Sequence, residues 1–287
     1  MKRAICILFI ILSAPGLIKS QSEKKYEDIK IDVFLSKSIV QNTKLQNVLF
    51  LNDIALTDNR NLYLASNNCF YRIGFGLFDE HIIKGKKITT FCSVGNNIFF
   101  ADKKTLYIID SNGKESVYVT LPQTPQKIWA GSSTIYWLTK QKNNTYKLYG
   151  LLINTKKNIE IWSSKRPVLD VAEFSGTITL LSDNKLYIID INQKKQLELP
   201  LKQELLGKAS NIAADNANGS IFISSATGTY MISQKKITKI CKDSGLLCYD
   251  NDGLIIFTPN DKSLIRLRNE IIYTPEKSKG VIIEILD

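Results

Sequence analysis

Short runs of aliphatic and aromatic residues recur along the chain, separated by polar turns. Six runs share one pattern, apolar residues closing on a small or polar one. They begin at Leu62, Ile98, Ile135, Ile178, Ile221 and Ile255, as in Ile98-Phe99-Phe100-Ala101-Asp102 and Ile178-Thr179-Leu180-Leu181-Ser182. Their starts step by 36, 37, 43, 43 and 34 residues. A second run follows each, such as Leu106-Tyr107-Ile108-Ile109 or Leu186-Tyr187-Ile188-Ile189. A third follows a polar turn, as in Ser116-Val117-Tyr118-Val119. A short segment opens each unit, as in Asp53-Ile54-Ala55-Leu56, Lys127-Ile128-Trp129-Ala130, Asp170-Val171-Ala172-Glu173 and Asn211-Ile212-Ala213-Ala214. The residue types favour strands, and no amphipathic helix interrupts them.

Four short antiparallel strands in roughly 40 residues, repeated, predict an all-β β-propeller. One blade cannot bury both faces alone; a ring of blades buries them and leaves only short edges. Complete units run from Asp53 to about Tyr273. Strand-like sequence remains at Ile29–Phe34, Val48–Phe50 and Val281–Leu286. Dividing residues 21–287 by the mean step gives close to seven, so seven blades are favoured over six, with the terminal strands closing the ring.

The first residues set the compartment. Lys2-Arg3 precedes an unbroken apolar run, Ala4–Leu12, and polar sequence begins at Lys19-Ser20-Gln21-Ser22. This is the order of a secretory signal, residues 1–20, ahead of a single domain over 21–287. The alternative is an uncleaved anchor, although the run is short for a span of about 20 residues. No later segment approaches that length. The chain is therefore expected to be secreted, periplasmic or part of the cell envelope.

Signal removal takes Lys2, Arg3 and Lys19 and no acid, so the formal charge falls from +11 to +8. Cys6 leaves too, and Cys69, Cys92, Cys241 and Cys248 remain. An oxidising compartment permits disulfides. Cys241 with Cys248 is the favoured pair; four free thiols are the alternative. No Cys/His spacing suggests zinc.

The blade cores resemble those of NHL and YWTD propellers. Ile98-Phe99-Phe100-Ala101-Asp102 with Leu106-Tyr107-Ile108-Ile109 is similar to an NHL-type core, and Ile135-Tyr136-Trp137-Leu138-Thr139 resembles a YWTD core, departing at its last two positions. The resemblance implies a fold and leaves function open.

Three features carry candidate chemistry. Asp53, Asp170 and Asn211 occupy the same place in three units. A ring of oxygens at a channel mouth could hold Ca²⁺, and six-bladed lactonases resemble this scheme, with the metal polarising a carbonyl. The structural alternative is a short polar side chain hydrogen-bonding local backbone; Asp215 and Asp250 are weaker members of the set. The second feature is a run of lysines at equivalent turns: Lys114, Lys156 and Lys157, Lys194 and Lys195, Lys235 and Lys236. They predict a basic arc at the rim able to meet an anionic membrane surface or acidic glycan, or simply soluble turns that discourage edge pairing. The third is the aromatics: Trp129, Trp137 and Trp162 fall in one unit on three strands and read as core. The single histidine, His81, reads as an ordinary strand residue, so a Ser-His-Asp triad has little to build on. Asn143-Asn144-Thr145 and Asn218-Gly219-Ser220 are sequons. Nucleic acid fits neither the compartment nor any motif.

The sequence thus favours a non-catalytic exported module that binds or scaffolds a protein or glycan, needing no cofactor. The alternative is a Ca²⁺-dependent lactonase or esterase built on Asp53, Asp170 and Asn211.

Overall fold

The computed structural model describes residues 30–36 and 48–270, apart from 75–76, 175, 194, 202–205, 218, 234–235 and 251–252. They form six four-stranded antiparallel sheets. The N-terminal strand is β1 (Lys30–Ser36). Blade 1 is β2 (Ala55–Leu56), β3 (Leu62–Ala65), β4 (Cys69–Gly74) and β5 (Leu77–Ile82). Blade 2 is β6 (Thr90–Val94), β7 (Asn97–Asp102), β8 (Thr105–Ile109) and β9 (Glu115–Thr120). Blade 3 is β10 (Lys127–Ala130), β11 (Thr134–Lys140), β12 (Tyr146–Leu152) and β13 (Asn158–Ser164). Blade 4 is β14 (Asp170–Phe174), β15 (Thr177–Ser182), β16 (Lys185–Asp190) and β17 (Lys195–Pro200). Blade 5 is β18 (Ala209–Asp215), β19 (Ser220–Ser225), β20 (Gly228–Ser233) and β21 (Lys236–Cys241). Blade 6 is β22 (Leu246–Asp250), β23 (Gly253–Thr258), β24 (Ser263–Glu270) and, outermost, β1.

The first strand of each blade touches the first strand of the next, and β22 returns to β2, so the ring closes. The molecule is a six-bladed β-propeller. This corrects the seven-blade expectation. Blade 6 has only three strands of its own, and β1 completes it, with Lys30 opposite Glu270 and Ser36 opposite Leu264. Val48 and Phe50 make no strand; they pack with Leu64, Tyr71 and Phe257 between blades 6 and 1. Dividing the whole length by the repeat overcounts, because β1 adds length without adding a blade. Val281–Leu286 lies outside the described residues.

Alternation along the inner strands explains the packing. Successive side chains point to opposite faces of a strand. One set packs on the following blade: Cys92 meets Ile128, Ile135 and Trp137, and Ala213 meets Leu247, Leu254 and Ile256. The other packs on the preceding blade, as Phe91 does on Ala65 and Phe70. Leu64, Phe100, Ile135, Leu180, Ile223 and Ile256 of the second strands are fully buried. The turn from β15 to β16 holds Asp183 and Asn184, both at positive φ (50° and 55°), as a two-residue hairpin needs. Among the described residues no helix is long and apolar enough to cross a membrane.

The four cysteines from Cys69 onward are free thiols. The expected Cys241–Cys248 bridge is not formed. Cys241 ends an outer strand and Cys248 sits mid-way along an inner one, because the intervening residues carry the chain from rim to channel rather than round a hairpin. The Cys241 Sγ instead donates to Asp243 Oδ2 at 3.3 Å. Burial pushes the Cys92 and Cys248 thiols up, Cys248 also through the charge of Asp250. Reductant is therefore expected to leave Tm unchanged. Alkylation of unfolded, unreduced protein should label all four, whereas native Cys92 should stay unlabelled because only the thiolate reacts. Mass spectrometry reads both.

Candidate functional site

The inner strands enclose a channel of about 740 Å³. They start at one mouth and end at the other. The first mouth is bordered by the segments entering each blade and by the turns between second and third strands. The opposite mouth shares its face with the hairpins leading to the outer strands.

The structure brings Asp53, Asp170 and Asn211 to the first mouth, as expected from their shared position. It also brings Lys127, Trp129 and Thr90, and these change the chemistry. Lys127 Nζ lies 3.3 Å from Asp170 Oδ1 and 3.7 Å from Asp53 Oδ1. Trp129 Nε1 donates to Asp170 Oδ1 at 2.5 Å, and the ammonium lies 5.3 Å from the indole ring centre. Asp170 Oδ2 accepts the Ile212 N–H at 2.8 Å and the Asn211 Nδ2 at 3.4 Å. A carboxylate has about four acceptor sites, and Asp170 has four donors. The place beside both carboxylates that a divalent cation would take is filled by Lys127. Among the described residues no three His, Cys, Asp or Glu side chains cluster as metal ligands.

The same residues tie blade to blade. Asp53 Oδ2 accepts the Phe91 N–H at 3.2 Å, Thr90 Oγ1 the Ile128 N–H at 3.0 Å, and Asp170 Oδ2 the Ile212 N–H. In each case a side chain at or just before the start of the inner strand caps the backbone of the next blade. The architectural reading of the recurrent Asp therefore has a concrete form, with the partner one blade further on. Burial raises the Asp53 pKa; Lys127 pulls it back and Asp170 adds to the rise. Desolvation opposes the Lys127 charge, but Asp170 and Asp53 outweigh it and hold the ammonium above its ordinary value.

The opposite mouth holds a second cluster that sequence reading missed. The Glu173 carboxylate accepts from Ser132 N at 3.2 Å, Ser132 Oγ at 2.6 Å and Tyr136 Oη at 2.8 Å. Burial and this carboxylate push the Tyr136 phenol far up. Glu173 lies directly over Gly131, where a Cβ would collide with its Oε2 and with the Tyr136 ring. Gly131→Ala should therefore expel the carboxylate and cost about 1–3 kcal/mol through the bonds it breaks, read as a lower urea midpoint with unchanged slope. The only advance signal was a glycine on the turn leaving Lys127-Ile128-Trp129-Ala130.

The other expected residues sit apart. His81 is exposed on outer strand β5. Trp129, Trp137 and Trp162 are buried, as their strand positions implied. Lys114, Lys156, Lys157 and Lys195 are exposed. Lys236 begins β21, while Lys194 and Lys235 lie outside the described residues.

No protein-family model matches the chain, and no curated protein matches it in sequence. Solved structures do resemble it. A gluconolactonase from Xanthomonas campestris superposes with a TM-score of 0.61 at 11% identity, over 77% of this chain and 86% of that one. A chain of the nidogen/laminin complex gives 0.51 at 10% identity, over 75% and 83%. The extracellular domain of BT4673 from B. thetaiotaomicron gives 0.52 at 14% identity, over 78% of this chain; this chain spans only 33% of its length. At these identities the likeness establishes the β-propeller fold.

Proposed function

We propose that the chain is a non-catalytic exported module that binds or scaffolds a protein or glycan across the face where its inner strands begin. The observation that carries this reading is the state of the mouth. The acceptors of Asp170 and the charge of Lys127 are engaged inside the ring, which leaves recognition to the surrounding loops. Export rests on Lys2-Arg3 and the apolar run Ala4–Leu12. Calcium titration calorimetry on the chain and on Asp170→Ala tests the reading, together with turnover of lactones and esters. No saturable heat and background turnover are expected. A glycan array or partner capture should then give a signal that Asn67→Arg with Gln141→Arg, on exposed or rim positions of that face, removes.

A second reading is a Ca²⁺-dependent lactonase or esterase. It is favoured by the convergence of Asp53, Asp170 and Asn211 on one mouth and by the likeness to a gluconolactonase. Those three residues would hold the ion, which would polarise the substrate carbonyl; Lys127 would have to swing out. A stoichiometric calcium site lost in Asp170→Ala would establish it.

A further inference from the structure

A repeat makes its own exceptions visible. Each blade turns one face of its middle strands to the next blade. On that face blades 2 to 5 pair Phe99 with Ile108, Tyr136 with Gly150, Thr179 with Ile188 and Phe222 with Met231. Blade 1 breaks the series. Tyr63 pairs with Arg72, and Arg72 with Asp79 on β5. Apolar packing gives way to an ion pair, in which Arg72 Nε donates to Asp79 Oδ2 at 3.0 Å. Both side chains stay near half exposed. At this point the seam between blades 1 and 2 holds a groove of about 250 Å³.

The turn over residues 57–61 borders the groove and is longer than its counterpart at 95–96. It leans on blade 2: the Asn59 N–H donates to Asn96 Oδ1 at 2.9 Å, and the Asp58 N–H to the Gly95 carbonyl oxygen at 3.1 Å. Asn59 and Asn61 line the groove, and among the described residues no group bonds their side-chain amides. Beneath them Phe70, Ile98 and Ile109 are buried and apolar. The charges are answered within the protein. Arg72 and Asp79 neutralise each other, and Asp110 Oδ1 accepts the Asn112 and Lys114 N–H groups, each at 2.9 Å. The Glu80 carboxylate lies on the reverse face of β5, beside Cys69 and Tyr71. An anion would meet Asp79, and a metal ion would have to displace Arg72. What remains for a ligand is a set of flat, two-headed polar groups, two amides and the second Asp79 oxygen among them, beside the Tyr63 ring and an apolar floor. Such groups bond neighbouring hydroxyls in pairs, while the ring and floor receive a C–H face. The volume is below the ~300–1,000 Å³ of sites for larger ligands, so there is room for one ring.

We propose that this groove binds one sugar residue of an uncharged glycan. Asn59, Asn96 and Asp110 sit on turns of the face opposite the Asp53–Lys127–Asp170 mouth, so the site is separate from the recognition surface proposed above. The test is retention of the full chain on an array of neutral oligosaccharides, competed by the free sugar of whichever glycans retain it. Saturable retention of a subset is expected, unchanged by added salt, because no net charge is engaged. Asn59→Ala/Asn61→Ala removes two amides that hold nothing in the protein and should lower retention at least ~5-fold. Asp79→Asn keeps the flat shape and drops the charge, and should keep most of it. Asn67→Arg/Gln141→Arg, on the other face, should leave it unchanged. A thermal melt verifies each fold.

An array with no retained glycan would overturn the proposal. So would full retention in Asn59→Ala/Asn61→Ala. Retention that is abolished by Asp79→Asn and weakened by salt would assign the groove to a cationic ligand and overturn the neutral sugar. Retention lost in Asn67→Arg/Gln141→Arg and kept in the groove variant would place glycan binding at the first mouth, supporting that reading while removing this one.

Discussion

Replacing Lys127 with methionine is expected to destabilise the propeller by about 3–5 kcal/mol, the usual cost of leaving buried charge without its partner. Asp53 and Asp170 are 7% and 6% exposed. Without the ammonium, two carboxylates from blades 1 and 4 would face each other with only neutral donors. Each kcal/mol is worth about 2–4 °C of Tm in a domain of this size, so calorimetry should show a drop on the order of 10 °C.

The pH dependence distinguishes this from lost packing. The Asp53 pKa is raised in the folded state, so between the ordinary 3.8 and that raised value the native protein binds more protons than the unfolded one. Falling pH then favours folding. The variant, with the opposing pull of Lys127 removed, should regain part of its loss as pH falls through that window. Lys127 itself is raised above 10.5, so its contribution is complete below that value and fades as pH climbs past its folded pKa. Adding Asp53→Asn to Lys127→Met should cost less than the sum of the single changes, as coupled neighbours do. A Lys127→Met protein as stable as its parent would show that the cluster holds nothing together.

Removing residues 1–36 should be the more damaging change. β1 pairs with β24 over seven residues, from Lys30–Glu270 to Ser36–Leu264. Its loss leaves blade 6 with three strands and the long edge of β24 unpaired. At roughly 0.5–1.5 kcal/mol net per hydrogen bond, the ladder alone approaches the ~5–15 kcal/mol that separates most domains from unfolding. The expected result is loss of a cooperative urea transition, with aggregation through the open edge. Supplying a synthetic peptide of residues 28–38 should restore part of the transition. A truncated protein with a normal midpoint would make β1 an ornament of the ring.

Most of the architecture was legible because each blade repeats the same physical solution. Leu62, Ile98, Ile135, Ile178, Ile221 and Ile255 announce second strands by apolar content and spacing, and all six positions are buried. The recurrence of Asp53, Asp170 and Asn211 marked the channel mouth. Its chemistry was less legible. Lys127 stands at the same offset in its unit, with Trp129 two residues on, but a search for oxygen ligands passes over an ammonium and an indole. Thr90 hides for a similar reason, since its hydroxyl caps Ile128 as Asp170 caps Ile212. The pairing of Glu173 with Ser132 and Tyr136 crosses from blade 4 to blade 3, and no local pattern encodes it. Blade number failed because period alone cannot tell a blade strand from an arm.

The pairing of β1 with β24 also fixes an order of events during synthesis. Lys30 is made some 240 residues before its partner Glu270. The sixth blade cannot exist, and the ring cannot shut, until β24 has been made. Contacts of such separation form slowly, so an incomplete chain stays open for as long as it is being extended. This order also means that a chain stopped before β24 strands β1 without a partner, leaving an unpaired edge that quality control can recognise.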